Sequence, residues 1–128
     1  MMDIFTKEEL EEAILAITST LNKSEKVQVK LKEGTFQHTM TVQGIRAYYI
    51  AIELIKKESE TNGTENSFKC SYTKEELEEA LKTTASVISR VEKVLPKFEK
   101  GTSQHTLAVR RINAFKIAEK LIKRELSH

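Results

Sequence analysis

The chain has 128 residues, a net charge of +2, no tryptophan and a single proline, and 31% of its residues are charged. This length suits one compact domain or two very small ones. No apolar run is long enough to span a membrane, and the one cysteine, Cys70, excludes an internal disulfide. The composition favours a helical, soluble protein.

Charge is distributed unevenly along the chain. Residues 1–61 carry 8 basic and 10 acidic side chains, whereas residues 72–128 carry 12 and 8. The excess in the second part indicates an anionic partner for that part. The first residues, MMDIFTKEELEE, lack the basic start and apolar core of a signal peptide. We therefore expect a cytoplasmic protein.

The chain aligns with itself without a gap at a shift of 67 residues, and 27 of the 57 pairs that start at Phe5 are identical. The clearest matches are FTKEELEEA with YTKEELEEA and GTFQHT with GTSQHT. This self-similarity indicates a tandem duplication. We predict a first repeat at 1–61, a linker at 62–71 and a second repeat at 72–128, with both repeats packed as one domain.

Each repeat begins with a helix start signal. Thr6 with Glu9, and Thr73 with Glu76, fit the capping box, in which the two side chains satisfy backbone N–H groups reciprocally. A 4-3 spacing of apolar residues then predicts a helix of about 26 residues that packs as in helical bundles. Pro96 predicts a kink or an end near residues 92–95 of the second repeat.

The seam of this first helix is less apolar in the first repeat, where Ser24 and Gln28 replace apolar residues. We expect that end to be wetter or to face a partner. In the second repeat the one polar seam residue is Thr84.

The repeated hexapeptide predicts the turn of a helical hairpin. Gly34 and Gly101 suit the left-handed conformation at a helix end, and Thr35 and Thr102 can cap the next helix. That helix is expected at about 37–60 and 104–126, with a wide apolar face that needs two neighbours.

One hairpin alone cannot bury both of its faces, so the sequence predicts an all-α, four-helix bundle of two hairpins related by a pseudo-twofold axis. The 13 polar residues 59–71 contain an Asn-Gly turn signal. They are long enough either to turn locally or to cross the bundle, since about 3.3 Å per extended residue covers a helix length. Up-down-up-down order and a crossover therefore both remain open.

The motifs T-K-E-E-L-E-E-A, G-T-S-Q-H-T-L and I-x-A-x-x-I-A-x-x-L-I resemble small, uncharacterised helical-hairpin proteins of Gram-positive bacteria. The resemblance covers each half of the chain and is stronger in the second repeat. Phe36 and Gly44 depart from it where the second repeat has Ser103 and Arg111. The resemblance implies a helical hairpin fold and a bacterial cytoplasmic protein, with no activity or catalytic residue.

The paired turn residues are the first candidate binding site: Gln37, His38, Gln104 and His105. At a helix N-terminus they could hold an anion. The other interpretation is turn chemistry, in which each imidazole bonds a backbone carbonyl or packs on the preceding helix. A shared site requires both turns at one end of the bundle.

A basic face on the last helix is the second candidate site, for nucleic acid, with phosphate contacts from Arg110, Arg111, Lys116, Lys120, Lys123 and Arg124. The alternative is a solvated helix face. No aromatic platform for base stacking accompanies these residues.

No nucleophile, phosphate-loop or metal-ligand motif occurs in the sequence. We expect no enzyme activity, no cofactor, no metal and no membrane partner. The predicted function is a protein-interaction or assembly module that binds a protein partner or itself, and the alternative is a small nucleic-acid-associated protein. Tyr48 and Tyr49 are candidate anchors for a partner, or they fill the core; Gly44 could admit another backbone.

Overall fold

The structure, a computed structural model, describes residues 5–61 and 72–127. These residues form four α-helices and one short 3₁₀ turn, and the described residues contain no β-strand. The helices are α1 (Lys7–Gln28), α2 (Phe36–Thr61), α3 (Lys74–Val94) and α4 (Ser103–Leu126). The predicted all-α class and the helical bundle are therefore confirmed. Cys70 and the Asn-Gly turn lie outside the described residues.

Both predicted capping boxes are present. Thr6 accepts a hydrogen bond from the Glu9 amide at 3.0 Å, and the Glu9 carboxylate accepts one from the Thr6 amide at 2.9 Å. Thr73 and Glu76 repeat the arrangement with the same two distances. Each box satisfies two N–H groups that the first helical turn leaves unpaired.

The first helix of each repeat is shorter than predicted. α1 has 22 residues and α3 has 21, against an expectation of about 26 from the apolar spacing. Pro96 acts as predicted, because α3 ends at Val94 and residues Leu95–Lys97 form a 3₁₀ turn. A proline cannot donate to the preceding turn of an α-helix.

Both turns reverse through glycine at φ 88°, a conformation that costs other residues steric strain. Gly34 does not directly follow α1 as predicted, since α1 ends six residues earlier. Thr35 and Thr102 cap the following helices, and each hydroxyl accepts from the amide three residues on, at 3.2 Å.

The helices alternate in direction. The Tyr72 hydroxyl, at the start of α3, donates to the Glu53 carboxylate in the second half of α2. Arg124, near the end of α4, donates to Glu58, near the end of α2. α3 is therefore antiparallel to α2, and α4 is parallel to it. This is the up-down-up-down order, and both hexapeptide turns lie at one end of the bundle.

The core forms where α2 and α4 meet across the centre. The backbones of these helices approach each other, whereas no Cα atoms of α1 and α3 lie within 8 Å of each other among the described residues. Each of the two central helices contributes two alanines to the core, all at most 2% exposed: Ala47, Ala51, Ala114 and Ala118. Small side chains allow helix axes to approach closely. The Tyr48 and Phe115 rings pack beside them, with centroids 5.5 Å apart.

Glu58 is a buried carboxylate, 6% exposed, and it binds the Arg124 guanidinium. We predict that Arg124→Met lowers the free energy of unfolding by about 1–3 kcal/mol, because a buried carboxylate loses a charged donor. Lys123→Met, at an exposed neighbour, should cost about 0.5 kcal/mol or less. Urea denaturation measures both values, and equal effects would show that the pair adds no stability.

Candidate functional site

The bundle has two electrically different ends. We define the turn end as residues 20–46 and 87–113, which carry eleven Lys and Arg against four Glu, a net charge of +7. The remaining described residues, the opposite end, carry nine Lys and Arg against thirteen Glu, a net charge of −4. Folding therefore converts a small difference in net charge between the two halves of the sequence into a large difference in net charge between the two ends of the bundle.

The turn end also exposes most of the surface apolar residues. Eight large apolar side chains are exposed among the described residues, and six of them lie at this end: Val27, Val29, Phe36, Met40, Val94 and Leu107. Phe36 is 71% exposed and Met40, one turn later on α2, is 45% exposed. Of these six residues, Val27 and Met40 lie together in one groove.

A groove of about 240 Å³ opens at this end. Its floor is the first half of α2, and its walls are the second halves of α1 and α3. Lys23 lies on the α1 wall and Arg90 lies on the α3 wall. Val27 and Met40 contribute apolar surface. Other lining side chains are hydroxyls or an amide: Ser24, Thr41, Gln43, Tyr48, Thr83 and Ser86. None of the described lining residues is acidic, so the groove favours an anionic occupant.

Gly44 is a buried residue in the floor of the groove, next to the Tyr48 ring. A Cβ atom at this position would lie 3.4 Å from the Tyr48 hydroxyl oxygen, which is ordinary contact. Arg111, the residue at the equivalent position of α4, carries a long, half-buried side chain. The second repeat therefore has a long cationic side chain at a position where the first repeat has a buried glycine beside the Tyr48 ring.

Tyr48 joins the groove to the core. Its ring is 6% exposed and packs on Phe115. Burial raises the pKa of Tyr48 above its ordinary value of 10.0, and the charge of Arg90, a hydrogen bond with Ser24 and the charge of Arg111 partly oppose this shift. The two tyrosines, for which the sequence left core packing and partner binding open, therefore differ in their environment. Tyr48 belongs to the core, and Tyr49 is 50% exposed and donates to Glu25 at 2.8 Å.

The two turns that carry the predicted histidine site lie at the same end, as a shared site would require. Gln37 and Gln104 are exposed, and His38 and His105 are half-buried. The amide of each histidine donates to the capping threonine. No contact joins His38 to His105 among the described interactions, and the hydrogen bonds given for them involve their backbone amides rather than their imidazoles, so the anion site and the turn interpretation both stay predictions.

The six basic residues that were predicted to bind nucleic acid differ in their exposure and in their contacts within the protein. Lys116 lies 3.6 Å from the Glu92 carboxylate, the Lys120 ammonium lies 5.8 Å from the centre of the Phe5 ring, and Arg124 binds Glu58. Arg110 and Lys123 are exposed, and Arg111 is half-buried beside Tyr48. Three of the six cations are therefore engaged within the protein.

Sequence reasoning missed the groove as a site, although it singled out Ser24 and Gly44 separately. The available signal was the difference between the repeats: Gly44, Phe36 and Leu15 stand where the second repeat has Arg111, Ser103 and Lys82. Such differences change the surface without changing the fold.

Within residues 5–61 and 72–127, no three His, Cys, Asp or Glu side chains are grouped to bind a metal ion. No helix of this described part has the length and apolar character to cross a bilayer. Comparison of the chain with protein-family models, curated proteins and solved structures finds no match. The resemblance to Gram-positive hairpin proteins thus stays a prediction.

Tyr48→Phe tests the buried phenol, and Phe is the residue that the second repeat has at this position. A raised pKa in the folded protein means that the neutral phenol favours folding below pH 10, and that this contribution is lost as pH rises through the folded pKa. We predict that unfolding free energy falls more steeply above pH 10 in the wild type than in Tyr48→Phe. Urea denaturation from pH 8 to 11 measures this, and parallel curves would contradict it.

Proposed function

We propose that this protein is a non-catalytic interaction or assembly module that binds a protein partner through its turn end. The groove over α2 carries the proposal. It combines cations on two walls, hydroxyl groups and apolar side chains, with no carboxylate among its described lining residues. Such a groove suits a protruding segment that presents apolar side chains flanked by carboxylates.

We also propose that the two hairpins are related by a pseudo-twofold axis that passes between Tyr48 and Phe115. Three contacts support this. Tyr48 and Phe115 are 67 positions apart and pack on each other. Phe5 contacts Lys120, and Tyr72 contacts Glu53. Phe5 and Tyr72 are equivalent positions of the two repeats, and so are Glu53 and Lys120. Exchanging the repeats therefore converts one contact into the other, as a twofold axis requires.

The alternative function is nucleic-acid association through α4. Its support is the exposure of Arg110 and Lys123 and the +7 charge of the turn end. The intramolecular contacts of Lys116, Lys120 and Arg124 weigh against it. Phosphate binding would weaken steeply between low and moderate salt, whereas an interface with apolar anchors would weaken less.

The pseudo-twofold proposal predicts that the isolated second repeat, residues 72–128, is a dimer. A single hairpin leaves one apolar face without a neighbour, and a second copy would supply what the first repeat supplies in the full chain. Sedimentation equilibrium measures the mass. A folded, monomeric hairpin would contradict the proposal. This repeat has Arg111 and Lys82 in place of Gly44 and Leu15, so its dimer would not depend on the groove.

The binding proposal predicts that Met40→Lys, in the groove, removes the partner. Met40 is 45% exposed, so the fold should tolerate the change. Cross-linking in cells of the source organism should recover a protein chain with the wild type and about tenfold less with Met40→Lys, because an interface anchor is lost. The control is Leu107→Lys, at the equivalent position of the second repeat, 51% exposed and outside the groove. Equal recovery with both variants, or no cross-linked chain at all, would overturn the proposal.

A further inference from the structure

A second surface of the same molecule is complementary to the groove in charge and carries an exposed apolar side chain. Leu15 on α1 is 70% exposed, and three exposed carboxylates lie on the same helix face. We call this surface the acidic strip: Glu8, Glu11, Glu12 and Leu15. Positions 8, 12 and 15, and positions 11 and 15, are three or four residues apart and therefore neighbours on a helix. The strip is an apolar anchor flanked by negative charge.

We propose that the groove over α2 binds the acidic strip of a second copy of this chain. Leu15 would meet the apolar surface of Val27 and Met40, and the carboxylates would approach Lys23 and Arg90. This inference rests on the proposed function and names the partner. The opposite charges of the two surfaces make the contact favourable and fix its orientation.

The differences between the repeats support the pairing. The second repeat has Lys82 where the strip has Leu15, and Arg111 where the groove has Gly44. Each of these residues would abolish one half of the contact. Lys82 puts a cation in place of the apolar anchor, and Arg111 puts a long cationic side chain in place of the glycine in the groove floor. Leu15 and Gly44 therefore occur together, once per chain, in the first repeat, while α3 of the second repeat supplies one wall of the groove.

The contact is heterologous, because two different surfaces of one molecule meet. A heterologous contact leaves a free groove on one copy and a free strip on the other, so it builds open chains or closed rings rather than only dimers. The acidic strip belongs to the opposite end and the groove to the turn end, so successive copies would join opposite ends of the bundle.

Sedimentation of the purified full chain tests this inference. The wild type should grow in mass with concentration, and added salt should weaken the growth by screening the exposed charges. Leu15→Lys and Gly44→Arg should each weaken self-association by about tenfold or more, because each removes one of the two surfaces. Leu107→Lys, a comparable change at a 51% exposed leucine outside the groove, and Gly44→Ala should leave it unchanged.

Mixing the two defective variants gives the sharpest readout. Leu15→Lys retains an intact groove and Gly44→Arg retains an intact strip, so the mixture should form a one-to-one complex that grows no further. Neither variant alone should do so. Circular dichroism establishes that both variants are folded.

A wild type that stays monomeric, or a mixture that stays monomeric while the wild type associates, would overturn the inference. A monomeric wild type that still loses a cross-linked partner on Met40→Lys would identify a different protein as the occupant. The binding proposal would then stand without the second copy. Loss of both self-association and cross-linking would overturn the two together.

Discussion

The close approach of α2 and α4 is the constraint on which the other features of this bundle depend. Four alanines of these two helices are buried in the core, and small side chains let diagonal helices approach more closely than a regular bundle allows. Tyr48 and Phe115 fill the space beside the alanines with aromatic surface. Because α2 and α4 occupy the centre, α1 and α3 are held apart on either side.

This separation creates the groove. The Cα atoms of α1 and α3 stay more than 8 Å apart among the described residues, which leaves room for the groove over the first half of α2. Gly44 supplies the smallest possible side chain at that point, and Tyr48 closes the groove below it. Core packing and surface shape are thus linked through one residue, because the ring that packs on Phe115 also places its hydroxyl group at the groove.

Charge follows the same geometry. The acidic starts of α1 and α3 favour their helix N-termini, and up-down-up-down order puts both starts at one end. The lysines and arginines of the two turns collect at the other end. The electrical polarity of the bundle therefore arises from local helix chemistry together with topology. It gives the turn end and the opposite end complementary character, which the duplicated sequence alone does not reveal.

The capping boxes, the glycine turns and the effect of Pro96 could be predicted from the sequence, because each depends on residues within a few positions of one another. The lengths of α1 and α3 were overestimated, since apolar spacing continues into the turn where the chain is no longer helical. The separate environments of Tyr48 and Tyr49, the engagement of Lys116, Lys120 and Arg124, and the groove depended on which helices meet. Those contacts join residues from different helices, and periodicity along one helix does not specify the neighbour that each face will find.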